Sequence, residues 1–144
     1  MKPEFKIVLP LIAAALSFLL SACAGLQQQV EIGAGETGKI IEMEAASFTF
    51  TPNNIKAYQG ETITIRITNS SDADHDFTLK DPAGAILQGI SLPARQTAMI
   101  KVVLADAGVY TFYCDKPFHS LLGMKGQIES IKRQKSPAPL NQTL

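Results

Sequence analysis

The sequence predicts an all-β fold, a sandwich of Greek-key type, and three observations carry that expectation. The stretch Glu61 to Thr68, "ETITIRIT", alternates strictly, with Ile63, Ile65 and Ile67 on one face and Thr and Arg on the other. Turn residues recur between the apolar runs, at Tyr58-Gln59-Gly60, Asn69 to Asp72, Asp81 to Gly84 and Asp106-Ala107-Gly108. No stretch of helical period reaches a useful length. Many short strands at even spacing argue for two packed β layers.

Taken in order, the chain opens on a targeting segment, residues 1–22. Lys2 and Lys6 give a positive start, and the apolar run Ile7 to Leu20 falls short of the roughly 18–20 residues a spanning helix needs. It reads as a signal peptide. Its end, Leu20-Ser21-Ala22-Cys23, resembles the lipobox of bacterial lipoproteins, which implies an acylated Cys23 as the mature N-terminus. Ordinary cleavage near Ala24, with no lipid, is the alternative. Two or three acyl chains, at about 0.8 kcal/mol per buried methylene, would hold a domain stably at a membrane. Residues 23–38 are polar, Gly-rich and aperiodic, and are expected to form a flexible tether spanning about 20 Å.

The folded domain is expected over 39–132. "SFTFTP" puts Phe48 and Phe50 on one strand face before Pro52 interrupts pairing. "HDFTL" opens a strand at His75 after a polar loop. "TAMIKVVL" sets Ile100, Val102 and Leu104 against Met99, Lys101 and Val103, and "VYTFYC" places Tyr110, Phe112 and Cys114 on one side. A last strand lies near "GQIESI". Residues 133–144 lack apolar periodicity and are expected to be a disordered tail. Formal net charge is zero, so nothing points to a nucleic-acid partner.

The chemistry-bearing residues are few. The chain holds two histidines, His75 and His119, and two cysteines, Cys23 and Cys114. If Cys23 carries lipid, Cys114 has no disulfide partner and sits as a free thiol in an oxidising compartment. Either it is a small buried hydrophobe or a metal protects it. Met124 follows His119 in the same loop, and each residue taken singly has a packing explanation. Two imidazoles, a thiolate and a thioether together match the donor set of copper electron-transfer sites. Sulfur suits soft Cu(I), imidazole tolerates both oxidation states, and a rigid sandwich holds the ligands still.

From about Lys39 to Ile131 the sequence resembles the small blue copper proteins, the cupredoxins of plastocyanin and azurin type. "FTFTPNNIKAYQGETITIRITN" is similar to their early strands, and "GVYTFYCDKPFHSLLGMKG" to their closing Gly-x-Tyr-x-Phe-x-Cys … Pro-x-His … Gly-Met-x-Gly segment. The resemblance implies one copper ion held strongly by His75, Cys114 and His119, with Met124 axial. Phe118 stands where members commonly have Gly before the second histidine, so the loop is expected to bend differently there. Phe118, Pro117, Leu121 and Leu122 would then form an apolar collar around His119. Asp76 stands where many members have an Asn that clips the ligand loops together, and Asp115 follows Cys114. Two close carboxylates repel unless one turns to solvent or is protonated, so the usual clip is not expected to carry over intact.

The function expected is one-electron transfer by a monomeric copper carrier at the periplasmic or extracellular face of a bacterial membrane. Transient redox proteins, a cytochrome or oxidase or similar, would be its partners, with electrons passing through the edge of His119. Copper delivery would prefer exchangeable, Met-rich sites, and a metal-free structural sandwich would leave the four-residue coincidence unexplained. Catalysis is not expected. Copper nitrite reductases and multicopper oxidases need a second sandwich and further histidines, and the binuclear copper site of terminal oxidases needs a second cysteine in the loop.

Overall fold

Alternating burial organises the chain into strands. The computed structural model describes residues 29–31 and 38–133. The targeting segment, Cys23 and the tail beyond Arg133 lie outside the described residues. Ten strands follow in chain order: β1 (Gln29–Glu31), β2 (Ile40–Ala46), β3 (Thr49–Thr51), β4 (Asn54–Tyr58), β5 (Thr62–Asn69), β6 (His75–Lys80), β7 (Ile86–Leu92), β8 (Thr97–Val103), β9 (Gly108–Tyr113) and β10 (Lys125–Ile131). One sheet has the order β1-β4-β10-β9-β6-β7 and the other β3-β2-β5-β8.

The topology is Greek-key rather than a simple meander. β2 pairs in parallel with β5, and β10 in parallel with β4, so chain neighbours are split between layers. Pro52 and Asn53 make one such crossing, because β3 belongs to the smaller sheet and β4 to the larger. The inward residues of each strand fill the space between sheets. β5 contributes Ile63, Ile65 and Ile67, β2 contributes Ile41, Met43 and Ala45, and β9 contributes Tyr110 and Phe112. At the centre, Phe50 lies edge-on to Phe77 and Phe112, with ring centroids 5.5 and 5.6 Å away, while Phe77 and Phe112 stack at 5.1 Å. Truncating any of these rings would cost about 3–5 kcal/mol, since a packed core cannot refill the void.

Three differences from the sequence reading have physical causes. Phe48 does not share a strand face with Phe50: it lies in the β2–β3 turn at a φ of 62° and turns its ring elsewhere. Gln29–Glu31, inside the span expected to be tether, forms β1 on the edge of the larger sheet, because β4 offers it an unpaired edge. β7 escaped the periodicity argument because it is an edge strand: Ile86 and Leu87 are exposed, and only Leu92 is buried.

Candidate metal centre

The centre lies at one end of the sandwich, where β6 begins and where the loop between β9 and β10 folds back. His75 is the first residue of β6 and is buried. The loop before it is shaped by the buried Asn69, whose side-chain amide donates to the carbonyls of Ala73 (2.8 Å), Leu92 (2.9 Å) and Pro93 (3.1 Å). Its oxygen accepts from the amide and the hydroxyl of Ser71, at 3.0 and 2.8 Å. That fixes Ser71 Oγ 2.9 Å from Nε2 of His75. With the Ser71 proton directed at Asn69, its oxygen accepts from Nε2–H, and Nδ1 of His75 is left with a free lone pair.

The other donors come from one loop closed on itself. The amide of Cys114 donates to the carbonyl of Met124 (3.0 Å), and the amide of Met124 donates to the carbonyl of His119 (2.9 Å). Cys114 and Met124 are both fully buried. Nδ1 of His75 and Nδ1 of His119 face each other at 3.2 Å, and Sγ of Cys114 lies 3.5 Å from the same His119 nitrogen. All three donor atoms fall within 4.8 Å of one another. Separations of 3.2 and 3.5 Å leave the three donor atoms close enough to converge on one ion. The donor chemistry fits one copper ion, with thiolate and imidazole close together in a buried pocket and a thioether-bearing residue in the same loop.

Electrostatics favour the ligating forms. The pKa of His75 is lowered from the ordinary 6.5, first by burial and next by the neighbouring His119, which outweigh Asp76 and Asp74. A neutral imidazole at neutral pH is what a metal requires. The amide of Asp76 donates to the Cys114 sulfur at 3.4 Å, which stabilises negative charge there.

The two carboxylates flanking the ligands have separate partners. Lys116 Nζ approaches Asp76 at 3.8 Å, and Thr78 donates its hydroxyl to Asp115 at 2.9 Å. Both contacts tie β6 to the β9–β10 loop, so two polar links stand where a single Asn clip was not expected to carry over. The expected rerouting of the loop at Phe118 is overturned. Phe118 holds a φ of 68°, the left-handed conformation that favours glycine, and bears a side-chain penalty of order 1–2 kcal/mol to do so. The backbone is fixed there by the amides of His119 and Leu122, bonded to the carbonyls of Lys116 and Phe118.

The residues expected to form the collar are exposed. Phe118, Leu121 and Leu122 are 72%, 80% and 61% exposed, and Pro117 is exposed beside them. Only His119 among the nitrogen and sulfur donors is part-exposed. Phe48 packs edge-on against its ring, centroids 5.0 Å apart. The sequence reading brought His75, Cys114, His119 and Met124 to attention and missed Asn69, Ser71, Thr78 and Phe48. Asn69 and Ser71 looked like turn residues, and nothing in their spacing reports a contact across a loop.

A family profile described as a cupredoxin-like domain matches residues 10–128. No curated protein matches the sequence. Among solved structures, a dithionite-reduced auracyanin from Roseiflexus castenholzii superposes with a TM-score of 0.57 at 20% identity, covering 68% of this chain and 99% of that one. Auracyanin A, a "blue" copper protein of Chloroflexus aurantiacus, gives 0.53 at 20% identity, covering 64% and 99%. A multi-copper oxidase from Pediococcus acidilactici gives 0.58 at 15% identity over 72% of this chain but only 28% of its own.

Proposed function

The chain belongs to the cupredoxin-like domain family, and from that premise we propose that it carries single electrons on one copper ion at the outer face of a bacterial membrane. The observation that supports this most is the convergence of His75 Nδ1, Cys114 Sγ and His119 Nδ1, with His75 and Cys114 buried and His119 part-exposed. Bound there, copper supplies a one-electron couple between Cu(I) and Cu(II). His75 and Cys114 would hold the ion from within the fold and Met124 would offer its thioether, while the paired strands keep these residues in place. His119 offers the part-exposed imidazole edge through which electrons enter and leave.

Burial of three donors favours a carrier over a copper-delivery protein, which needs ligands that exchange with a recipient. Both histidines of the chain belong to this centre, so none remains for a second copper site and the reading is of a carrier rather than an enzyme. Transient redox proteins are the proposed partners of a monomer, and an acylated Cys23 is the proposed anchor. The test is the visible and electron-paramagnetic-resonance spectra of the chain with one equivalent of copper(II). Intense colour from thiolate-to-copper charge transfer is expected, lost in Cys114→Ser. A colourless copper-loaded chain with an ordinary square-planar spectrum overturns the reading.

A further inference from the structure

Two carboxylates stand directly beside candidate ligands, Asp76 after His75 and Asp115 after Cys114. The pairing of β6 with β9 sets Thr78 opposite Tyr113 in antiparallel register. Carried two residues further, that register sets Asp76 level with Asp115, on the face turned away from the buried Phe77 and Cys114. Like charges directly opposite each other across two strands repel.

The fold draws each carboxylate along a diagonal, to a donor on the other segment. Asp115 accepts the hydroxyl of Thr78 at 2.9 Å, two residues along β6 from Asp76. Asp76 lies 3.8 Å from Nζ of Lys116, the residue after Asp115. Thr78 faces outward yet is only 5% exposed, so its hydroxyl meets Asp115 under cover and not in open water. The backbone of Asp76 is fixed as well, because its amide donates to the Cys114 sulfur at 3.4 Å. The two charges are thus held in place and held apart.

We propose that Asp76 and Asp115 set the preference of the centre for copper(II) over copper(I), and that Thr78 and Lys116 are the positioning residues that keep the two charges separate. The inference rests on the copper-carrier reading above and adds what tunes its couple. Copper(II) carries one more positive charge than copper(I), so a nearby carboxylate favours the oxidised ion and a nearby ammonium disfavours it. Lys116 therefore offsets part of what Asp76 does. A part-exposed ion pair of this kind contributes little to folding, so its effect is read on the ion. The Thr78 contact is covered and charge-assisted, so its effect is read on the fold.

The test uses the full chain. The ratio of copper(II) to copper(I) affinity is read from the reduction potential, and urea unfolding is followed in the metal-free form. Asp76→Asn and Asp115→Asn are each expected to lower the ratio about three- to tenfold, a rise of about 30–60 mV for a one-electron couple. Lys116→Gln is expected to raise the ratio by a similar factor, and Lys116→Gln combined with Asp76→Asn to bring it back near the parent value. Thr78→Val keeps the side-chain shape and deletes the hydroxyl. It is expected to raise the unfolding constant of the metal-free protein about tenfold, and less in the Asp115→Asn background. Ratios that stay within twofold of the parent in the three single charge variants, or that move with the opposite sign, overturn the inference. So does a Thr78→Val effect that Asp115→Asn leaves unchanged. A parent chain that takes up no copper, or takes it up without the thiolate-to-copper colour, removes the carrier reading and the inference together. A coloured parent with unmoved ratios removes the inference alone.

Discussion

Ser71→Ala tests the contact that orients His75. The variant deletes the oxygen 2.9 Å from Nε2 along with its bonds to Asn69 and to the Ala73 backbone, which are lost with or without copper, while Asn69 still accepts the Ser71 amide. In the metal-free protein the loss at His75 is small, since the imidazole proton can move to Nδ1 and bond to His119 Nδ1 at 3.2 Å. With copper on Nδ1 that escape is closed. Nε2 must keep its proton, and His75 is only 1% exposed, so the donor is stranded. An unsatisfied buried donor costs about 1–3 kcal/mol. Loss of an outer partner of a metal-bound histidine typically weakens metal binding about 10–100-fold, which falls in the same range. The assay is copper(I) affinity by competition with a chromophoric chelator, alongside urea unfolding of the metal-free and copper-loaded forms. Affinity should fall about 10–100-fold while the metal-free form loses less stability than the copper-loaded one, and Ser71→Thr should restore both. Unchanged affinity, or equal destabilisation with and without copper, would refute the reasoning.

Gly126→Ala should lower the melting temperature sharply or prevent folding, by at least about 1–3 kcal/mol, because a Cβ there collides with the Phe112 ring and the Asn53 carbonyl. Tyr110→Phe should cost about 1–3 kcal/mol in urea unfolding. Its hydroxyl accepts from the Asp106 amide at 3.0 Å and donates to the Asp106 carbonyl at 3.2 Å, and both would lose their partner. The metal-free protein should lose stability as pH falls through the ordinary imidazole value near 6.5, since His75 has a lowered pKa in the fold. Between the lowered value and 6.5 the unfolded chain binds the extra proton, so stability rises with pH across that window. His75→Gln should flatten that part of the stability–pH curve, and an unchanged slope would count against the assignment.

The strands that were legible in the sequence are those with one face buried and one wet. β5, β8 and β9 alternate because inward Ile, Val, Tyr and Phe meet the opposite sheet while their neighbours meet water. β7 and β1 were not legible, because an edge strand is held by backbone pairing and its side chains carry little pattern. The ligands were legible through their rarity: two histidines and one cysteine of the domain fall in two short segments. Their surroundings were not. Ser71, Asn69 and Phe48 have side chains common in turns and cores, and their roles exist only through contacts across the fold.

Sequence alone determined the layered all-β architecture and the identity of the four candidate donors, since period-two hydrophobicity and scarce sulfur and imidazole side chains are local, countable features. Tertiary structure decided everything that depends on distance between remote segments. It set the 3.2 Å approach of the two imidazoles, the left-handed Phe118, the polar links at Asp76 and Asp115, and the end of the sandwich from which β1 departs. The physical reason is that strand register and loop closure are solved by the whole packed domain at once. A residue's spacing along the chain says what it can donate, and only the fold says to what.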